Sequence, residues 1–128
     1  MLKDNFIDYI NNFDKTNINK KHNDFFNSLD NNLDNITHFI FYGPPGSGKY
    51  STALKLIEKY SNSNLKYEKK MIITSNKNEH IIKISDIHYE INMENLTCNP
   101  KTLFNDIYIN IIDSIQVQEN RKGIILCK

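Results

Sequence analysis

Thr37-His38-Phe39-Ile40-Phe41-Tyr42-Gly43-Pro44-Pro45-Gly46-Ser47-Gly48-Lys49 is the most informative stretch of the chain. Phe39 to Tyr42 is an unbroken apolar run, the pattern of a strand buried on both faces at the centre of a parallel sheet. Gly43, Gly46 and Gly48 follow at once, and beyond Lys49 the residues Ala53, Leu54, Ile57 and Tyr60 recur at helical spacing. The expected order is strand, glycine loop, helix.

Glycines in this position let the backbone curl tightly enough to aim successive N–H groups at one anion, and the following helix adds its own unpaired N-terminal N–H groups and dipole. A lysine directly after the last glycine supplies a mobile charge for the outer phosphates of a nucleotide. The spacing G-x-x-x-x-G-K from Gly43 to Lys49 is that of a P-loop. A Gly/Pro turn that merely joins strand to helix is the alternative, but glycine spacing, lysine, strand and helix all agree with the motif's context. The candidate nucleotide-binding set is Gly43, Pro44, Pro45, Gly46, Ser47, Gly48, Lys49, Tyr50 and Ser51.

The motif departs from its pattern at the next position. Ser or Thr normally follows the lysine and gives a short hydroxyl to Mg²⁺, and here Tyr50 stands there. Ser51 is the candidate magnesium contact, although one helical step turns a side chain by about 100°. Two roles for Tyr50 stay open, direct involvement or outward packing with water at the metal. Hydrolysis also needs acidic groups at the end of the neighbouring strand. The candidate strand Ile124-Ile125-Leu126-Cys127 leads into Lys128, so no catalytic residue is assigned, and the expectation is either a site without that pair or a chain that continues. Asp106 and Asp113 fall on a predicted helix and read as a solvated face.

Working outward, Leu2, Phe6, Ile10 and Phe13, then Phe25, Phe26, Leu29 and Leu33, predict two amphipathic helices in a lead-in covering residues 1–36. Residues 37–128 form the expected nucleotide-binding core. Tyr67, Met71 and Ile73 alternate at period two, Ser75-Asn76-Lys77-Asn78 is turn chemistry, and Glu79 to Ile84 completes a hairpin. Ile87, Tyr89 and Ile91 mark a further strand. Asn99 is the expected N-cap of a helix with Pro100 at its first position. Its predicted buried face is Leu103, Phe104, Ile107, Tyr108, Ile111, Ile112 and Ile115. The fold class is α/β, with a partial, mainly parallel sheet flanked by helices and a β-hairpin insertion.

The 128 residues carry 16 Lys+Arg against 15 Asp+Glu, a net charge of +1, too balanced for charge alone to indicate nucleic acid. Cys98 and Cys127 are far apart and match no zinc or redox spacing, which fits a reducing, intracellular compartment. No uncharged run approaches membrane-spanning length. Arg121 is the one arginine, a poor supply for a small kinase that clamps a transferred phosphoryl group. Abundant Asn, Ile and Lys suggest an AT-rich genome, such as that of a large DNA virus or a protist. His22, His38, His80 and His88 have no ligand spacing and read as surface or hydrogen-bonded residues. Lys69, Lys70 and Lys77 form either a solvated face or a contact for DNA phosphates.

The segment H-F-I-F-Y-G-P-P-G-S-G-K resembles the opening strand and P-loop of AAA+ clamp-loader subunits, the replication factor C small subunits. K-Y-E-K-K-M-I-I-T, I-I-K-I-S-D-I-H-Y-E-I-N and C-N-P-K-T-L-F-N-D-I-Y extend the resemblance over about residues 20–128, closest to the eukaryotic third small subunit. That subfamily likewise places its hydroxyl one position late, matching Tyr50 and Ser51. The resemblance implies an AAA+ P-loop fold, ATP with Mg²⁺ as cofactor, and membership of a hetero-pentamer that opens a sliding clamp at primer-template DNA. It also implies action in the nucleus or at a viral replication site. A structural or assembly protein that binds nucleotide without hydrolysing it, and an unrelated small P-loop NTPase or kinase, are the alternatives.

Overall fold

The computed structural model describes residues 5–16, 20–97 and 99–128, so the expectations placed on Leu2 and Cys98 lie outside the described residues. The chain divides into two units, residues 1–66 and 67–128.

In the first unit, α1 (Phe6–Thr16) and α2 (Lys20–Ser28) fall where the apolar periodicity places helices, and Leu33 lies in a short 3-10 turn, Leu33–Asn35. Phe6, Ile10 and Phe13 bury one stripe of α1, which packs on α3 (Lys49–Glu58). The matching stripe on α3 is Ala53, Leu54, Leu56 and Ile57, all buried. Full burial of each of the Leu, Ile and Phe side chains is worth about 1.5–3 kcal/mol, so the packing of this pair dominates any charge at its rim. At that rim the Lys55 Nζ lies 3.0 Å from Asp14 and 2.9 Å from Glu58. The ammonium of Lys59 donates to the carbonyls of Phe26 (2.8 Å) and Leu29 (2.5 Å), closing the C-terminal end of α2 as cations at helix ends do.

The expected central strand from Phe39 to Tyr42 is not a strand. The segment carries no sheet pairing among the described residues, and Ile40 and Tyr42 are 94% and 98% exposed. An apolar run acquires two buried faces only when strands flank it and layers cover it, and here those neighbours are missing among the described residues. The Phe39 ring stands edge-on to Phe25 of α2, with centroids 6.4 Å apart.

The second unit holds a four-stranded sheet in the order β1 (Lys69–Ser75), β2 (Asn78–Ile84), β3 (His88–Ile91), β4 (Ile124–Cys127). β1–β2 and β2–β3 are antiparallel and only β3–β4 is parallel, so the sheet is mixed, which corrects the mainly parallel expectation. The hairpin lies in sequence-adjacent strands joined by a two-residue loop, and that connection can only be antiparallel. Asn76 and Lys77 turn that loop with φ of 49° and 66°, the left-handed pair that suits the twist of a tight hairpin. The expected α/β class stands, with α4 (Pro100–Val117) packed against the sheet.

Leu103, Ile107 and Ile111 of α4 meet Ile73, Ile82, Tyr89 and Ile91 in the core, with Leu96. Phe104 and Ile115 are half-buried beside it, whereas Tyr108 is exposed, so the buried stripe is narrower than its sequence spacing suggested. Asn99 does precede Pro100, but it sits at φ 50° and its side chain caps nothing, because a left-handed residue turns its side chain away from the first helical N–H groups. Asp106 is not simply solvated, since it accepts the Ser75 hydroxyl at 2.5 Å. Gly123 is set by close approach: a Cβ there would stand 2.7 Å from Ile115 Cδ1. Among the described residues no helix is long and apolar enough to cross a membrane.

Candidate phosphate-binding loop

The loop after Tyr42 has the backbone its glycines permit. Gly46 and Gly48 have φ of +76° and +79°, a region that costs an L-residue about 1–2 kcal/mol. Nothing lies within 4 Å of where a Cβ would stand at either position, so the backbone conformation and not crowding is what calls for glycine there. Ser47 N–H donates to the Pro44 carbonyl at 3.2 Å and closes the turn. α3 then begins at Lys49, and the Gly48 carbonyl accepts both the Thr52 N–H (2.9 Å) and the Thr52 hydroxyl (2.7 Å). The first N–H groups of an α-helix have no intrahelical partner, so this terminus presents donors next to the curled loop.

Lys49 folds back over the loop, its ammonium donating to the carbonyls of Gly43 (2.5 Å) and Pro44 (3.1 Å). The charge is thereby held beside the concavity by two weak neutral acceptors, which a phosphate can replace with stronger, charge-assisted bonds. Pro45 is exposed at the crest of the loop.

Tyr50 and Ser51 part company. The Tyr50 ring packs edge-on against Tyr9 of α1, with centroids 4.8 Å apart and planes at 80°. Ser51 instead lines a cavity of about 260 Å³ together with Gly46, Ser47, Gly48 and Thr52. Of the two, Ser51 is the residue that lines the cavity, and its short hydroxyl is of the type that would suit a hard cation.

The far wall of that cavity comes from α1, through Asn12, Phe13 and Thr16. Sequence reasoning missed this contribution and that of Thr52. Asn12 and Thr16 are polar residues four apart on an amphipathic helix, a spacing indistinguishable from an ordinary solvated flank.

A second polar cluster lies in the 67–128 unit. The Ser85 hydroxyl oxygen accepts the N–H groups of Ile87 (3.2 Å) and His88 (3.0 Å), which directs its own proton to His88 Nδ1 at 2.5 Å. His88 Nε2 then donates to Glu90 Oε1 at 3.2 Å, and Lys128 Nζ lies 3.5 Å from Glu90 Oε2. His88 is thus a hydrogen-bonded histidine, as expected, but it and Glu90 are both buried. The His88–Glu90 hydrogen bond and the Lys128 ammonium offset the burial of these polar groups in a strand whose four residues are all buried, where an unpaired charge would be costly. Its groups are engaged with one another.

A larger hollow of about 620 Å³ runs along α4, lined by Lys101, Thr102, Phe104, Asn105 and Tyr108, without an acid or a nucleophile of the reactive kind. The glycine loop is the place where sequence motif, backbone conformation and a cavity coincide. No protein-family model matches the chain, and a search of curated proteins returns no match.

Proposed function

We propose that this chain binds a nucleoside triphosphate, ATP with Mg²⁺, at Gly43–Ser51. On the strength of its sequence resemblance, it serves as an ATP-binding subunit of an AAA+ sliding-clamp loader. The observation that carries the nucleotide reading is the loop itself: two left-handed glycines beside a cavity, a helix N-terminus and the Lys49 ammonium held on the loop's own carbonyls. These are the groups that meet a polyphosphate's charge without steric obstruction. The partners are then sister subunits of a hetero-pentamer, the sliding clamp and, through the assembly, primer-template DNA, in the nucleus or at a viral replication site.

A second reading is favoured by one contact. With Tyr50 packed on Tyr9, the position that normally gives a short hydroxyl to the metal is turned to another use, which suits an assembly subunit that binds nucleotide and does not hydrolyse it.

Co-expression of the chain with candidate sister subunits and a sliding clamp tests the assignment. An ATP-dependent complex that contains the clamp is expected, and an ATP-binding chain that joins no such complex overturns the clamp-loader reading. Steady phosphate release by that complex separates the hydrolysing subunit from the binding-only one, provided a Lys49→Ala chain abolishes this subunit's share.

A further inference from the structure

The loop accounts for one side of the 260 Å³ cavity, and the chemistry of the other side is different. There α1 contributes Asn12, Phe13 and Thr16, none of them charged. Thr16 directs its hydroxyl into its own helix, onto the carbonyls of Asn12 (2.9 Å) and Phe13 (3.3 Å). Phe13 offers a largely buried ring. The Asn12 carboxamide makes no hydrogen bond among the described residues, so its two N–H donors and its acceptor oxygen are available to whatever occupies the cavity. A wall without a cation does little for phosphate. A neutral amide beside an apolar ring matches the uncharged, hydrogen-bonding part of a nucleotide.

We infer that Asn12 is a binding residue for the nucleoside portion of the ligand, reading base or ribose from α1 while Gly46–Gly48 and Lys49 hold the phosphates. The inference rests on the nucleotide reading of the loop and adds a discriminating residue to it. α1 is fixed for this task by its packing on α3, by the Tyr9–Tyr50 contact and by the Asp14–Lys55 ion pair, so the amide is carried on a rigid element and not on a loop. Asn12 is exposed on its helix, and its replacement leaves the buried stripe of Phe6, Ile10 and Phe13 intact.

The test compares ATP with inorganic tripolyphosphate, each titrated into the wild-type chain, Asn12→Ala and Lys49→Ala by calorimetry, with circular dichroism checking that each variant is folded. Asn12→Ala is expected to weaken ATP by about tenfold, the size of one well-made hydrogen bond, and to leave tripolyphosphate within about twofold. Lys49→Ala is expected to weaken both ligands. ATP affinity unchanged in Asn12→Ala overturns the inference, and so does an equal loss for both ligands, which would make Asn12 a phosphate contact or a structural residue. If Lys49→Ala changes neither ligand, the loop reading itself fails and the inference with it.

Discussion

Replacing Gly48 by alanine and, separately, Gly43 by alanine separates backbone conformation from steric space in the loop. At Gly48, φ is +79° and no atom lies within 4 Å of the new methyl, so the whole cost is the left-handed backbone, about 1–2 kcal/mol. At Gly43 φ lies outside the left-handed region, and the methyl would stand 2.9 Å from the Ser47 Oγ, the end of a short side chain that can rotate away. The loss there is offset by the reduced entropy of the unfolded chain, about 0.4–1 kcal/mol for a compatible Gly→Ala change, leaving a net effect near zero. In urea titrations followed by circular dichroism, Gly48→Ala should lower the midpoint by about 0.5–1 M for an m-value of about 2 kcal/mol/M, with Gly43→Ala close to wild type. Gly48→Asn should recover part of the loss, because asparagine enters the left-handed region more readily than alanine. A Gly48→Ala midpoint equal to wild type, with Gly43→Ala the damaged variant, would refute the conformational account of the loop.

Two further outcomes follow from packing and charge. Ile111 is fully buried between α4 and the sheet, so Ile111→Ala should destabilise by about 2–5 kcal/mol and raise amide exchange in β1, β3 and α4; a change below about 1 kcal/mol would contradict the core assignment. At Lys55, burial pulls the ammonium pKa down, but the hydrogen bonds and charges of Glu58 and Asp14 outweigh it, leaving the value above its ordinary 10.5. The folded chain therefore holds this proton more tightly than the unfolded one, so the stabilisation is complete below pH 10.5 and is lost as pH rises through the raised value. The stability gap between wild type and Lys55→Met should be constant near neutrality and shrink above pH 10.5, and a gap that widens there would reverse the sign of the argument.

Much of the architecture was legible because local chemistry specified it. Alternation in Met71 and Ile73, with Asn76 and Lys77 able to adopt left-handed backbone, fixed the hairpin to its turn residues. Lys49 to Glu58 needed only its apolar spacing and the glycine before it. What escaped depended on distant partners. Phe39 to Tyr42 has the composition of a central strand, but composition expresses a demand for burial and cannot supply the neighbours that meet it. β3 is the reverse case. The sequence placed His88 only as a surface or hydrogen-bonded residue and offered no reading of Glu90, yet all four positions of the strand are buried and the two side chains hydrogen-bond each other.

The candidate site divides in the same way. Gly43 to Lys49 was readable as a motif, since each residue type serves a backbone or charge requirement within a few positions. The opposite turns of Tyr50 toward Tyr9 and of Ser51 into the cavity required the presence of α1. So did the wall formed by Asn12, Phe13 and Thr16, which no local pattern distinguishes from the rest of an amphipathic helix.

The central claim, that Gly43 to Lys49 holds nucleotide phosphate, is tested most directly by the equilibrium affinity for Mg²⁺·ATP of the wild-type chain and of Lys49→Ala. Removing the ammonium that lies against Gly43 and Pro44 should weaken binding by about ten- to a hundredfold, the worth of one charge-assisted hydrogen-bonding group, with the fold intact. Equal affinity in the two proteins, or no measurable binding by the wild type, would contradict it.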